Sequence, residues 1–251
     1  MAKQSGIFQV EGTLGNVTFI KTQDGFLVKT KTAISKNRIA TDPAFQRTRE
    51  NNSEFGRAGK ASKLLRTAVR NLLQNAKDNR VTSRLTKEMS KVLKADSTSI
   101  RGLRNVVDGE AEMLKGFEFN INAQLAGTLY TKYESTINRV TGALQIAIPS
   151  FVPLTDMVVP DGSTHYKIVS AGAEVDFEAQ TFIEALSATA VEPINATATA
   201  AQILSNPVTP ASTHPLFLLL GIQFFQQVNG INYPLKNGAF NPLQIVEVSG
   251  V

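Results

Sequence analysis

Cysteine and tryptophan are absent from this 251-residue chain, and histidine occurs only twice. Without cysteine the protein can form neither disulfide bonds nor thiolate metal sites. The two histidines, His165 and His214, lie beside turn and strand-edge residues. We interpret them as structural, rather than as zinc ligands or members of a catalytic triad. The lack of tryptophan, together with only four tyrosines, argues against a carbohydrate-binding sandwich, which needs exposed aromatic rings.

Long apolar runs are also missing. The longest strongly apolar stretch covers residues 216–222, far fewer than the roughly 20 residues that a membrane-spanning helix needs. No apolar segment of signal-peptide length follows residues 1–6. We therefore expect no membrane insertion, and a protein that is cytoplasmic or that is carried in a particle or appendage released by a non-classical route.

Charge is divided unevenly along the chain. Residues 1–105 carry 21 of the 26 Lys and Arg but only 8 of the 21 Asp and Glu, which gives a net charge of +13. Residues 106–251 carry 5 basic and 13 acidic residues, which gives a net charge of −8. A basic region beside an acidic one allows two kinds of partner, namely nucleic acid or the acidic region of another copy of the chain.

The N-terminal residues predict an arm followed by a β-hairpin. Residues 17–22 and 26–31 are rich in strand-forming side chains and flank Asp24-Gly25, a pair typical of a two-residue turn. Such a turn places Lys21 opposite Val28. A further short strand is expected over residues 7–10. We expect this arm to add a strand to the sheet of a neighbouring copy through Ile7, Phe8 and Val10.

The next segment predicts basic amphipathic helices. Asp42 followed by Pro43 is typical of a helix N-terminus, because aspartate caps the first turn and proline lacks an amide that would need a partner there. Apolar residues recur at three- and four-residue spacing over 58–76 and again over 81–94, while most lysines and arginines lie off these stripes. Two glycines weaken the middle of 43–76, so this stretch is expected as one helix or as two.

From residue 117 onwards the apolar pattern changes to a period of two, which is typical of strands. Residues 117–122 and 144–148 alternate strictly, and glycine-containing turns such as Asn229-Gly230 separate the predicted strands. Several short strands with regular turns favour a β-sandwich. The expected fold class is therefore α+β and mainly β. Its parts are an N-terminal arm and β-hairpin over 1–40, a basic helical segment over 41–105 and a C-terminal antiparallel β-sandwich over 106–251.

Two segments of the predicted sandwich are ambiguous. The centre of residues 217–225 is apolar on both faces. Burial on both sides within one domain explains this, and so does a second face covered by a neighbouring subunit. We favour the subunit, because antiparallel sandwiches usually leave one face in water. Residues 185–211, rich in Ala, Thr, Ser, Asn and Pro, predict a long loop with a short helix over 197–204.

No motif in the sequence carries catalytic chemistry. Residues 56–62, Gly-Arg-Ala-Gly-Lys-Ala-Ser, lack the four-residue spacing between the glycines and the Lys-Ser pair directly after the second glycine of a phosphate-binding loop. No acidic cluster has the spacing of a calcium loop. We therefore expect no enzymatic activity, no cofactor and no metal.

Three stretches have distinctive sequences. They are residues 15–19 (Gly-Asn-Val-Thr-Phe), residues 42–50 with Glu-Phe-Gly at 54–56, and residues 227–238 with Val-Asn-Gly and Tyr-Pro-Leu-Lys-Asn-Gly. Together they resemble a family of uncharacterised bacterial proteins, chiefly from the Bacteroidota. The resemblance covers most of the chain. It implies a bacterial or phage origin and assigns no activity, cofactor or site.

These observations favour a structural function. We expect a self-assembling protein that forms a multi-copy filament, tube or particle through contacts with other copies of itself. The alternative is a nucleic-acid-binding protein that uses the basic helices over residues 47–104. Both functions draw on the same candidate contact residues: Arg47, Arg49, Arg57, Lys60, Lys63, Arg66, Arg70, Arg84, Lys87 and Lys91.

Overall fold

A computed structural model describes residues 2–4, 6, 8–23, 25–30, 34–76 and 78–251, and for Asn237 the backbone only. The chain divides into two units, Met1–Arg49 and Glu50–Val251. The fold class is α+β and mainly β, as the sequence predicted. The predicted boundary between residues 105 and 106 falls inside the second unit, where helices and strands share a hydrophobic core.

The helices all precede the long strands of the C-terminal half. They are α1 (Lys36–Thr41), α2 (Gln46–Ala68), α3 (Arg70–Leu73), α4 (Val81–Ala95), α5 (Leu125–Thr128) and α6 (Pro153–Asp156), with 3-10 turns at Pro43–Phe45, Ala111–Leu114 and Leu235–Gly238. In the described part of the chain, no helix combines the length and apolar character that crossing a membrane requires.

Within the described ranges, the strands form three antiparallel sheets. They are β1 (Ala2–Lys3), β2 (Gly12–Leu14), β3 (Val17–Thr22), β4 (Gly25–Thr30), β5 (Glu134–Asn138), β6 (Ala143–Ile148), β7 (His165–Asp176), β8 (Thr181–Ala188), β9 (Glu192–Pro193), β10 (Gln202–Ser205), β11 (Leu216–Val228), β12 (Ile231–Pro234) and β13 (Leu243–Ser249).

The N-terminal unit is built on a four-stranded sheet with the order β1-β4-β3-β2. Strands β3 and β4 form the predicted hairpin, but the predicted register is wrong. Thr22 pairs with Gly25, and Lys21 lies opposite Phe26 instead of Val28. Gly25, with a φ of 109°, begins β4 instead of lying in the turn as the sequence predicted. Asp24, the other predicted turn residue, lies outside the described residues. The slip of two positions keeps each side chain on its predicted face.

The arm differs from the prediction more strongly. Phe8 and Val10 lie in no strand, and Ile7 lies outside the described residues. The arm contributes β1 instead, which pairs antiparallel with β4. The side chain of Gln4 closes the intervening loop, since its Nε2 donates to the Val10 carbonyl (3.1 Å) and its Oε1 accepts from the Val10 amide (3.0 Å). The backbone of Val10 is therefore occupied within the chain.

The predicted helix start is confirmed. The Asp42 carboxylate accepts a hydrogen bond from the Ala44 amide at 2.9 Å, and Pro43 opens the 3-10 turn that leads into α2. Helix α2 continues through both glycines to Ala68, because side chains such as Leu65 are buried along its length. The break comes later, at Val69. Helix α4 is confirmed with the predicted apolar stripe buried: Val81, Leu85, Met89 and Val92.

The second unit has three layers. A large sheet, β12-β11-β7-β8 with β13 paired to β11 and β9 to β7, forms the middle layer. Helices α2, α3 and α4 bury their apolar stripes against one face of this sheet. The small sheet, β10-β6-β5, packs on the other face. The predicted sandwich is therefore present, with a helical layer on its outside.

Strand β11 explains why residues 217–225 are apolar on both faces. Phe217 and Leu219 belong to the core under the helices, whereas Leu218 and Leu220 belong to the core between the sheets. The expectation that a neighbouring subunit covers the second face is wrong, because the chain's own helices cover it. Amphipathic helices need an apolar surface of this kind to pack on.

The loops of the second unit hold one confirmed hairpin and one wrong prediction. Val228 pairs with Ile231 across a turn whose residues, Asn229 and Gly230, have φ values of 51° and 80°, as a type I′ turn requires. The short helix predicted over residues 197–204 is absent, and β10 occupies its end. There Ile203 is 68% exposed and Leu204 is buried, which is the period of a strand.

A buried asparagine joins three parts of this unit. The side chain of Asn241 accepts from the Phe224 amide of β11 (3.0 Å) and donates to the Asn75 carbonyl beyond α3 (2.9 Å). The Asn120 side chain donates to the Asn241 carbonyl (3.0 Å). The bonds to the Phe224 amide and to the Asn241 carbonyl are buried, so they satisfy backbone groups that would otherwise lack a partner in the interior.

We expect Asn241→Ala to lower the free energy of unfolding by about 2–4 kcal/mol, because it leaves the Phe224 amide and the Asn75 carbonyl without their partner. Urea denaturation followed by circular dichroism measures this difference. The matched control is Asn232→Ala, an exposed asparagine in β12, for which we expect a change within about 0.5 kcal/mol. Equal effects of the two substitutions would contradict the role of Asn241.

Candidate functional site

The ten predicted contact residues fall into two groups. The exposed side chains are Arg47, Lys60, Lys63, Arg70, Lys87 and Lys91, and the partly buried ones are Arg49, Arg57, Arg66 and Arg84. The partly buried group consists of arginines alone. Guanidinium groups suit such positions, since they can donate several hydrogen bonds in a fixed plane.

Arg84 on α4 holds the chain segment that follows the helical layer. Its Nη1 donates to the Glu118 carbonyl (2.7 Å), and its Nη2 donates to the Phe119 carbonyl (3.2 Å). The same guanidinium forms an ion pair with Asp78, whose Oδ2 also accepts from the Ile121 amide at 3.0 Å. Arg84 is thus committed to internal contacts.

Two further arginines of the set bind loops of their own unit. In the second unit, Arg57 donates to the carbonyls of Leu103 and Arg104, the latter at 3.0 Å. In the N-terminal unit, Arg49 donates to the carbonyls of Ile39 (2.8 Å) and Asp42 (2.9 Å). Part of the basic excess that the sequence displays is therefore used to hold backbone carbonyls inside the chain.

The outer side of α2 keeps a basic surface. Lys60 and Lys63 lie one helical turn apart, both exposed, and neither pairs with an acidic group in the described part of the chain. Lys60 also lines a groove of about 400 Å³, together with Phe177 and Glu178 from the turn after β7. On α4, by contrast, Lys91 pairs with Glu88 at 2.6 Å. Among the described residues, the exposed cations of the set without an acidic partner are thus Lys60 and Lys63 on α2, Arg70 on α3 and Lys87 on α4.

The N-terminal sheet has an apolar face, and the described residues of its unit form no buried core. The cross-strand register places Leu14, Val17, Phe19, Phe26 and Val28 on the same face. Leu14 is 77% exposed, and no described residue among 2–49 is buried. A sheet with an apolar face normally buries that face against another layer.

The N-terminal unit is also strongly basic. Residues 1–49 contain 8 Lys and Arg and 3 Asp and Glu, a net charge of +5 that equals the net charge of the whole chain. The second unit is neutral in sum, with 18 residues of each sign, but its acidic residues predominate after residue 105. Each unit therefore offers a separate candidate surface: an apolar, basic sheet in the N-terminal unit and an acidic sandwich in the second unit.

Glu118 is a titratable site that sequence reasoning missed. Its Oε1 accepts hydrogen bonds from the Leu125 amide (2.9 Å) and from Gln244 Nε2 (2.8 Å). Its Oε2 is buried and has no hydrogen-bond partner among the described residues. Burial raises the pKa of this carboxyl to about 7, against the lowering effect of the two hydrogen bonds and of Arg84. Its partner Gln244 lies too far along the sequence for any local pattern to indicate it.

The two histidines occupy separate positions. His214 Nε2 lies 3.8 Å from Asp176 Oδ2, and His165 Nδ1 lies 2.9 Å from the Thr164 hydroxyl. Over the described ranges, no group of three His, Asp or Glu side chains is placed to hold a metal ion.

The raised pKa of Glu118 makes stability depend on pH. The folded state holds the proton more tightly than the unfolded chain, whose carboxyl has an ordinary pKa of 4.5. The stabilising contribution of the protonated form is therefore complete below about pH 4.5 and is lost as the pH rises through about 7. Between about pH 5 and pH 8, we expect the wild type to lose roughly 1–3 kcal/mol of unfolding free energy relative to Glu118→Gln.

Chemical denaturation at several pH values measures this difference. Glu110→Gln, which removes an exposed carboxyl nearby in the sequence, serves as the control and should leave the pH dependence of the wild type unchanged. If Glu118→Gln keeps the wild-type pH dependence, Glu118 does not titrate in this range.

Comparisons with known proteins add little to these surfaces. No protein-family model matches the sequence, and no curated protein matches it. Among solved structures, the chain is similar to the reeler domain of human F-spondin (fragment 1), with 9% sequence identity and a TM-score of 0.19. The match covers 49% of this chain and 97% of that domain. A similarity at this level carries no argument, so the function has to be inferred from the chain's own surfaces.

Proposed function

We propose that the protein is structural and that it self-associates in many copies into a filament, tube or other particle. The apolar face of the N-terminal sheet carries this proposal. Its five side chains, from strands β2, β3 and β4, belong to a unit in which no described residue is buried.

The hydrophobic effect favours covering this face. Removing apolar surface from water contributes about 25 cal/mol per Å², and an apolar patch without a core beneath it is typical of an interaction surface. A second copy of the chain is the partner that is always present when the protein is made in quantity.

Charge supports contact between unlike parts of two copies. The N-terminal unit carries +5, whereas residues 106–251 carry −8. Two N-terminal units repel each other, but the N-terminal unit of one copy and the sandwich of another attract. A contact between unlike surfaces leaves both surfaces free at the ends of the assembly, so it propagates instead of closing.

We expect the purified, nuclease-treated protein to form regular particles in negative-stain electron microscopy and large species in analytical ultracentrifugation. Phe19→Thr should weaken this association by at least about tenfold, because it removes the central ring of the apolar face while keeping a strand-forming residue. If the wild-type protein sediments as a monomer at high concentration and low salt, the proposal is wrong.

The matched control is Ile20→Thr. It makes a similar change at the next position of β3, on the opposite face of the sheet and at the same level of burial. Because neither side chain is buried, both variants should keep the fold, and only Phe19→Thr should affect assembly. Equal losses in the two variants would indicate general destabilisation of the sheet.

Nucleic-acid binding is the second candidate function. The exposed pair Lys60 and Lys63 on α2 favours it, since phosphate contacts need unpaired cations on an accessible helix face. The commitment of Arg57 and Arg84 to internal carbonyls weakens it.

If nucleic acid is the partner, affinity for a DNA duplex of about 20 base pairs should fall steeply with salt. The double variant Lys60→Gln/Lys63→Gln should then lower the slope of log affinity against log salt by about 2, or roughly 1 for each lost phosphate contact. Fluorescence anisotropy measures this slope. Lys132→Gln/Lys167→Gln removes the same charge from the second unit outside the helices and should leave the slope unchanged.

A further inference from the structure

Strand β8 is an open edge of the large sheet. It pairs with β7 over eight residues, from Thr181 to Ala188, without a shift of register. Within the described residues, no strand pairs with its outer side. The strand contains no proline, no lysine and no bulge, which are the devices that usually protect an exposed edge from pairing.

The register shows which backbone groups of β8 face outward. The Thr189 amide donates to the Ile168 carbonyl at 3.0 Å, so this position is a hydrogen-bonded pair. Hydrogen-bonded pairs recur at every second residue of an antiparallel ladder. The odd-numbered residues of β8 therefore bond to β7, while the amides and carbonyls of Phe182, Glu184, Leu186 and Ala188 point away from the sheet.

Most side chains of β8 are apolar, and the large apolar ones are partly exposed. Phe182 is 39% exposed, Ile183 48% and Leu186 49%. The single charged residue, Glu184, is held towards the helical layer by Asn71, whose Nδ2 donates to Glu184 Oε2 at 2.8 Å. An unpaired, mostly apolar edge strand of this length is a template on which another strand can pair.

We propose that β8 pairs antiparallel with β8 of a second copy, about a two-fold axis at Ala185, so that the large sheets of two copies form one continuous sheet. This inference rests on the proposed self-association and names a contact within it that does not involve the N-terminal unit.

Hydrogen bonding and charge together select the register. Outward residues have to pair with outward residues, and of the registers that this allows, two overlap β8 the most: Glu184 opposite Glu184 or, two residues further on, Glu184 opposite Leu186. The first places like charges directly opposite each other, which is destabilising. The second pairs Phe182 with Ala188, gives four hydrogen-bonded pairs, and brings Ala185 opposite its own copy on the axis.

The occupant is a second copy because the strand is self-complementary in this register and a two-fold contact of identical edges closes on itself. The chain's own arm is not a free donor, since β1 already pairs with β4 and the Val10 backbone bonds to Gln4.

Cysteine cross-linking of the full chain tests this seam, by which we mean the proposed contact between the β8 strands of two copies. The sequence contains no cysteine, so Ala185→Cys introduces the only thiol. Directly opposite residues in a non-hydrogen-bonded pair have Cα atoms about 4.5 Å apart, within the range of a disulfide at about 4.4–6.8 Å. We expect oxidation with copper phenanthroline to convert most of the protein into a covalent dimer on a non-reducing gel.

The control is Ser187→Cys, on the same strand and the same face. In the proposed register its copy lies four residues along the strand, about 13 Å away, so it should give little dimer. Equal cross-linking at both positions would mean random collision and would overturn the seam.

A second variant tests the hydrogen bonds themselves. Adding Leu186→Pro to Ala185→Cys removes an outward amide but leaves the ladder to β7 intact, and it should reduce the cross-linked fraction at least about fivefold. Leu186→Ala keeps the amide and should retain most of the dimer, and circular dichroism shows that both variants are folded. If the Leu186→Pro variant forms as much dimer as the Leu186→Ala variant, the outward amide of residue 186 is not needed and the seam is wrong.

Failure of this inference differs from failure of the proposed function. If particles form in electron microscopy but Ala185→Cys gives no dimer, the seam is wrong and self-association stands. If the wild type is a monomer at every concentration, both are wrong.

Discussion

Strand β11 is buried on both of its faces, and this double burial determines the layout of the unit Glu50–Val251. Phe217 and Leu219 need cover on one side, and Leu218 and Leu220 need it on the other. Each such side chain contributes about 1.5–3 kcal/mol when it leaves water, so neither face can stay open. The small sheet covers one face and the helices cover the other. The helices are therefore a structural layer of the sandwich, and only their outer sides are available to partners.

Because the helices are a structural layer, the positive charge of residues 47–104 cannot be read simply as a binding surface. A count along the sequence presents 47–104 as a basic surface, but guanidinium groups such as those of Arg57 and Arg84 bind backbone carbonyls of the following segment. Hydrogen bonds from a charged donor are stronger than those between neutral groups, and they fix loops that have no regular partner. The cations that remain exposed on α2 are fewer than the composition indicates. For this reason the apolar sheet of the N-terminal unit, rather than the helices, carries the functional argument.

Local patterns in the sequence predicted the elements well and their partners poorly. The stripe of α4, the cap at Asp42 and the hairpin at Asn229-Gly230 depend on residues a few positions apart, so the sequence alone predicts them. The register of β3 and β4 depends on whether Gly25 belongs to the turn or to the strand, and composition does not decide this. The layers that bury β11 and the surroundings that raise the pKa of Glu118 depend on residues more than a hundred positions apart in the sequence, such as Glu118 and Gln244. The period of a helix or strand says nothing about contacts between residues so far apart. The candidate contact residues were predicted by charge alone, which does not distinguish an internal arginine from an exposed lysine.

The order of the layers along the chain has a consequence for biosynthesis. The helices are translated first, and the strands that they cover, β7, β11 and β13, are translated last. On the ribosome the apolar stripes of α2 and α4 therefore emerge before the sheet on which they pack exists. The unit can complete its fold only once Leu243–Ser249 has left the exit tunnel, because β13 supplies Leu243 and Ile245 to the core under the helices. Until then the nascent chain exposes these stripes, the state in which chains depend most on chaperones.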